Sequence, residues 1–154
     1  MQKREVFIRK YVYLYERLIF SAAFVAGTLC IARKKGLDVM NLIQTNSLSA
    51  RQAEQILALL NECQKTQPIH ISFPFEDGNC FLLLLDESET LAAIMGMILP
   101  PDGSSDEEPV ECIAFTRPSL RRRGYFAALL EKACDISGEH DILFPVAPES
   151  ADTA

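Results

Sequence analysis

The spacing of apolar positions along this chain changes several times, and each change marks an element. From Ser49 the pattern is helical: Ala53, Ile56, Leu57, Leu60 and Cys63 recur three or four residues apart, with Arg51, Glu54, Gln55, Asn61 and Gln64 on the other side. Ser49 with Gln52 three residues later has the form of a capping box, so a helix is predicted over about 50–64. Residues 68–74 (PIHISFP) are short, β-branched and bounded by prolines, which predicts a brief extended or edge segment. After the turn residues Asp77, Gly78 and Asn79, the run 80–85 (CFLLLL) is apolar on every position, as a strand buried on both faces would be. Asp86 to Glu89 turns the chain, and residues 90–99 (TLAAIMGMIL) return as a second strand. Gly96 inside it predicts a bulge or a close backbone approach.

The polar stretch 100–109 (PPDGSSDEEP) reads as a loop, and 110–116 (VECIAFT) as a third strand in which Glu111, Ile113 and Phe115 alternate with Cys112, Ala114 and Thr116. A second helix is predicted over about 120–134, with the stripe Tyr125/Phe126, Leu129/Leu130 and Ala133/Cys134. Gly138 ends it, and 141–146 (DILFPV) is a final strand. The order is helix, antiparallel meander of three strands, helix, strand. This predicts an α/β (α+β) sandwich rather than a doubly wound fold.

Charge divides the chain at residue 39. Residues 1–39 hold eight Lys/Arg and three acids, net +5, whereas residues 40–154 hold seven bases and eighteen acids, net −11. The pattern predicts a basic extension, 1–39, on an acidic domain, 40–154. The acidic part would repel a phosphate backbone, so nucleic acid is not an expected partner. Within the extension, residues 18–32 (LIFSAAFVAGTLCIA) are an uninterrupted apolar run that follows the aromatic residues 11–15 and ends at Arg33, Lys34 and Lys35. A bilayer-spanning helix needs about 20 apolar residues, so the run is short for that role. Three readings stay open: weak membrane association through residues 11–35, a helix packed on the domain or a partner, or an upstream extension with Met40 as the natural start.

The remaining candidate chemistry narrows quickly. The five cysteines (Cys30, Cys63, Cys80, Cys112, Cys134) never have C-x-x-C spacing and mostly sit in apolar runs. They read as buried thiols in a reducing, cytoplasmic compartment rather than as a metal or dithiol site. His70 and His140 are isolated, so no metal site is expected. What stands out is 116–126 (TRPSLRRRGYF), at the junction of the third strand and second helix. Helix N-termini expose unpaired N–H groups and the positive end of the dipole, Gly124 permits close approach, and Arg121, Arg122 and Arg123 add charge. Such a turn suits an anionic ligand; the alternative is a solvated basic turn balancing nearby acids. No Walker or Rossmann glycine motif is present.

These residues resemble the GNAT superfamily of acyl-CoA-dependent N-acyltransferases. The family's signature is a strand, a turn often containing Pro, then [Arg/Gln]-x-x-Gly-x-[Gly/Ala] opening a helix with a Leu-Leu-x-x-Ala-like stripe. Here residues 112–116 match the strand, Pro118 the turn, Arg121, Gly124 and Phe126 the loop, and 127–133 (AALLEKA) the helix. The resemblance runs over about 40–146. Phe126 departs from the small residue at the last motif position. The chain also stops where family members continue with another helix and two more strands, so those elements are expected to be absent.

The resemblance implies acetyl-CoA as co-substrate and an N-acetyltransferase acting on a small-molecule or peptide amine. The pyrophosphate would lie on Arg121, Arg122, Arg123, Gly124, Tyr125 and Phe126. The pantetheine arm would pair along Ala114, Phe115 and Thr116, with an N–H near Phe115 polarising the thioester. Glu111 is the candidate general base, against an ordinary exposed strand residue. No general acid is identified, and Tyr125 is expected to pack. A non-catalytic CoA- or partner-binding protein of the same fold, or a membrane-associated interaction protein, is the alternative. The last strand, 141–146, would leave an apolar edge unpaired and favour homo-oligomers.

Overall fold

The computed structural model describes residues 4–8, 41–69, 71–105 and 107–146. The apolar run at 18–32, the aromatic residues 11–15 and His70 lie outside the described residues, as does the membrane association read from 11–35. Among the described residues no helix is long and apolar enough to cross a membrane.

Six strands and two helices make up the described chain. In order they are β1 (Arg4–Ile8), β2 (Asn41–Thr45), α1 (Ala50–Thr66), β3 (Cys80–Leu85), β4 (Leu91–Ile98), β5 (Val110–Thr116), a 3-10 turn (Pro118–Leu120), α2 (Tyr125–Ser137) and β6 (Ile142–Val146). They form one sheet in the order β1-β6-β5-β4-β3-β2, in which only the β5/β6 pair is parallel. The expected α/β sandwich with an antiparallel meander is therefore present.

The capping box starts α1 as predicted. Ser49 Oγ accepts from the Gln52 N–H at 3.2 Å, and the Ser49 N–H donates to Gln52 Oε1 at 2.9 Å. The buried face of α1 is Ile56, Leu59 and Cys63, whereas Leu57 is 50% exposed, so the stripe is rotated from the one read in the sequence. Gln67 is extended and precedes Pro68, which disfavours another helical turn.

The helices lie on opposite faces of the sheet. Ile56, Leu59 and Cys63 of α1 cluster with Phe81, Leu83, Leu91 and Ile94. Leu129, Leu130 and Ala133 of α2 cluster with Leu82, Met95, Met97, Val110 and Cys112. β3 and β4 thus bury both faces, which accounts for their unbroken apolar runs. Gly96 is a close approach rather than a bulge, because an added Cβ would lie 2.7 Å from Pro74 Cγ; the register irregularity falls instead between Leu84 and Leu85. The segment 68–74 forms no strand among its described residues, and Phe73 and Pro74 cover Gly96.

Two elements depart from the sequence reading. β2 forms along β3, although residues 41–45 carry no clear alternation. More consequentially, β1 arises inside the basic segment 1–39 and pairs antiparallel with β6 over five residues, from Arg4↔Val146 to Ile8↔Ile142. The sheet therefore draws on both sides of the charge boundary at residue 39. The edge of β6 that was expected to lie open, and to drive homo-oligomers, is occupied by β1.

Candidate active site: a forked strand pair at a helix N-terminus

The site begins with how β5 and β6 pair. Their parallel ladder holds only two residue pairs, Val110↔Ile142 and Glu111↔Leu143, although β5 continues for five more residues. Beyond the rung of Glu111 with Leu143, whose last bond runs from the Cys112 N–H to Leu143 C=O, the two strands form no further residue pair, and the sheet opens into a fork. Which groups of β5 face that fork follows from alternation along the strand. The Val110 N–H donates to Asp141 O at 2.8 Å, toward β6, and the Arg117 N–H donates to Ala92 O at 2.8 Å, toward β4. Residues of Val110's parity, namely Cys112, Ala114 and Thr116, therefore turn their N–H and C=O groups to the β6 side, where the Cys112 N–H ends the ladder and the groups after it face the fork. Glu111, Ile113 and Phe115 turn theirs to Ile98, Gly96 and Ile94 of β4. The N–H of Phe115, expected to face a ligand, is thus committed to the β4 ladder, and those of Ala114 and Thr116 are the ones presented.

The open end of the fork meets the start of α2. Gly124 caps that helix in the left-handed region, φ 88°, without a side-chain cap. Arg122, two residues earlier, also has φ 63°; only one other described non-glycine residue, Glu89, has a positive φ. A left-handed arginine costs about 1–2 kcal/mol, and such strain is retained where the turn's shape matters. Among the described residues nothing accepts from the backbone N–H groups of 122–127. Arg121, Arg122 and Arg123 are all exposed around them. The result is a cluster of N–H donors, helix dipole and guanidinium charge, with the chemistry of an anion site.

Phe126 packs inward. Its ring meets that of Phe144 on β6 in an edge-to-face contact, centroids 5.6 Å apart, which leaves its N–H at the helix start unobstructed. The departure from a small residue at this position is accommodated by the core. Tyr125 is buried, 7% exposed, so its ring belongs to the interior, as expected.

Arg117, which the sequence offered only as one more base, anchors the whole turn. Its Nε and Nη2 donate to Leu91 O at 3.1 and 2.9 Å, and Nη1 pairs with Glu62 at the end of α1. Beside it, Cys63 Sγ donates to Thr116 O at 3.4 Å. Burial pushes the Cys63 thiol above its ordinary range, although the neighbouring Arg121 and Arg117 charges oppose the shift. These partners lie 26 to 55 residues from Arg117 or Thr116 in sequence, and no local pattern announces such contacts.

Glu111 sits at the opposite, closed end of the fork. It is exposed and its rung with Leu143 is formed, about 17 Å along the strand from Thr116. It shares a parity with Ile113 and Phe115, which pack on the α1 side. The structure brings Ala114, Thr116 and residues 121–126 together but leaves Glu111 apart. Among the described residues no group of three or more His, Cys, Asp or Glu side chains is arranged to hold a metal ion.

Fold and site together define a mixed α/β sandwich whose one parallel strand pair forks at a helix N-terminus. Among solved structures, L-PGS from Bacillus licheniformis has a similar fold, with a TM-score of 0.62 over 95% of this chain at 12% identity. The chain spans about half of that structure, 47% of its length, and at this identity the likeness is one of fold. No family model and no curated protein matches the sequence.

Proposed function

We propose that this chain is an acyl-CoA-binding domain of the GNAT type that serves acetyl transfer to an amine. The observation that carries the reading is the coincidence, at one place, of an unpaired β5 edge with the uncapped, arginine-flanked start of α2. An acyl-CoA has the matching halves. Its pyrophosphate is a polyanion for the N–H groups of 122–127 and the side chains of Arg121, Arg122 and Arg123. Its pantetheine arm is an extended chain with amide groups, and it would pair with Ala114 and Thr116 as an added strand does with a sheet edge. The thioester carbonyl would then lie against an N–H of that same edge, Ala114 or Thr116, which stabilises the developing oxyanion. In the transfer a neutral amine attacks that carbonyl, the C–N bond forms, the C–S bond breaks and the CoA thiol leaves.

A second reading, binding without turnover, is favoured by one observation. Glu111, the candidate base, sits at the closed end of the fork, and Tyr125 is held in the core. Beyond Glu111 the side chains of β5 are Cys112, which is buried, Ile113, Ala114, Phe115 and Thr116, and none is a carboxylate or an imidazole.

Calorimetric titration with acetyl-CoA tests the shared claim: a saturable isotherm supports it, and no heat at millimolar ligand refutes both readings. Thiol release across a panel of amines then separates enzyme from binder. Replacing Arg121, Arg122 and Arg123 by Ala together should abolish binding, and unchanged affinity would mean the phosphates sit elsewhere.

A further inference from the structure

The end of the β5/β6 ladder coincides with a sequence feature of β6. In a parallel ladder the N–H and C=O of one residue bond to the neighbours on either side of its partner, so donors from the two strands alternate. With Val110 paired to Ile142 and the Val110 N–H on Asp141 O, the next bonds in order are Leu143 N–H to Val110 C=O and Cys112 N–H to Leu143 C=O. The bond after that requires an N–H at residue 145 to reach Cys112 C=O. Residue 145 is proline, which has no N–H. The ladder stops at that step.

The other edge of β6 is unaffected. Alternation directs Leu143 and Pro145 toward β5, and Ile142, Phe144 and Val146 toward β1, so the missing donor is on the fork side while β1 pairs along the whole of β6. A proline inside a sheet is tolerated where the ladder on one side is not continued, and Pro145 meets that condition on an interior strand. The residue before it, Phe144, is fixed against Phe126 at the start of α2. The strand that departs from β5 is thus tied to the helix carrying the anion site.

We infer that Pro145 is the positioning residue that holds the fork open: by withholding the one N–H the next rung needs, it leaves Cys112 C=O, the N–H and C=O of Ala114 and the Thr116 N–H available to a ligand. The ligand side of this statement rests on the acyl-CoA reading; the ladder side does not. Restoring an N–H should let the parallel pairing advance toward Ala114 and narrow the fork.

The experiment uses the full chain with Pro145→Val, and Pro145→Ala as a second variant, because both residues accept strand geometry. Amide hydrogen exchange by NMR is read first, without ligand. The inference expects the new amide at 145 to exchange at least 100-fold more slowly than a solvent-exposed amide, with the thermal midpoint unchanged or raised. Free exchange at 145, or loss of fold in both variants, would overturn it, since the inference says the added donor finds a waiting acceptor. Titration with acetyl-CoA follows. At least 10-fold weaker binding by the variants than by wild type is expected, and equal affinity would overturn the claim that the fork width matters to the ligand. If wild type itself does not bind, the acyl-CoA reading fails, and the exchange result alone decides what Pro145 does.

Discussion

Arg117 holds the turn through side-chain contacts with two other elements, whereas Arg121, Arg122 and Arg123 lie exposed around the proposed anion site. Its side chain is 16% exposed and gives two bonds to the Leu91 carbonyl, while its ion-pair partner Glu62 is 44% exposed. Charge-assisted bonds in such a setting contribute about 1.5–3 kcal/mol, whereas a half-exposed ion pair contributes under about 1 kcal/mol. Arg117→Ala should therefore lower stability by about 2 kcal/mol in urea unfolding, and Glu62→Gln by less than about 1 kcal/mol. Equal losses would mean the ion pair, not the carbonyl contact, anchors the turn. Arg122 presents the opposite balance. Its φ of 63° is strained for arginine, so Arg122→Gly should raise stability by up to about 1 kcal/mol while weakening acetyl-CoA binding through the lost charge. A glycine variant that binds as well as wild type would remove Arg122 from the anion site. The buried thiols set a pH limit. Burial raises Cys63, Cys80 and Cys112 above the ordinary thiol value of 9.0, so their protonated forms stabilise the fold below that pH. Above about pH 9 the unfolded chain ionises first and stability falls. Denaturant midpoints should drop between pH 9 and 10.5, less steeply in Cys112→Ala, and a flat profile would contradict this.

The elements whose boundaries the sequence announced are those governed by local rules. The capping box at Ser49 and Gln52 set the start of α1, an apolar run buried on both faces delimited β3, and an alternating stretch after a polar loop delimited β5. Legibility failed wherever a distant partner decided. β2 has no pattern of its own and exists because β3 offers an edge. β1 lies in a segment whose charge separated it from the rest, yet it pairs with β6 from the far end of the chain. Helix α2 begins at Tyr125 rather than 120 because the residues before it form the 3-10 turn and the left-handed arginine turn, which a helical stripe cannot distinguish from helix. The composition of that turn was plain from the sequence, but its backbone shape was not. The β1 pairing also has a consequence. A chain of residues 40–154 lacks β1 and exposes the apolar edge of β6, so it should self-associate in light scattering where the full chain does so less. Identical behaviour of the two would show that β1 does not protect that edge.

At the scale of the molecule, two helices fix the sheet from opposite faces, and among the described residues the interior of the sheet opens at the fork between β5 and β6. One wall is a strand edge with unpaired polar groups, the mouth is a positively charged helix start, and the far wall is held away by a proline and by Phe144 on Phe126. The charge asymmetry follows the same plan. An acidic domain with seven bases keeps three of them in consecutive positions at that mouth, where an anion would be drawn in against the domain's general repulsion. The central claim is that this fork receives an extended, anionic acyl-CoA along β5, and amide hydrogen exchange with and without acetyl-CoA tests it directly. In the free protein Ala114 and Thr116 should exchange rapidly and Ile113 and Phe115 slowly, because only the latter pair bonds to β4. Saturating acetyl-CoA should slow Ala114 and Thr116 and leave Ile113 and Phe115 unchanged. Unaltered exchange at Ala114 and Thr116 under saturation would contradict the account.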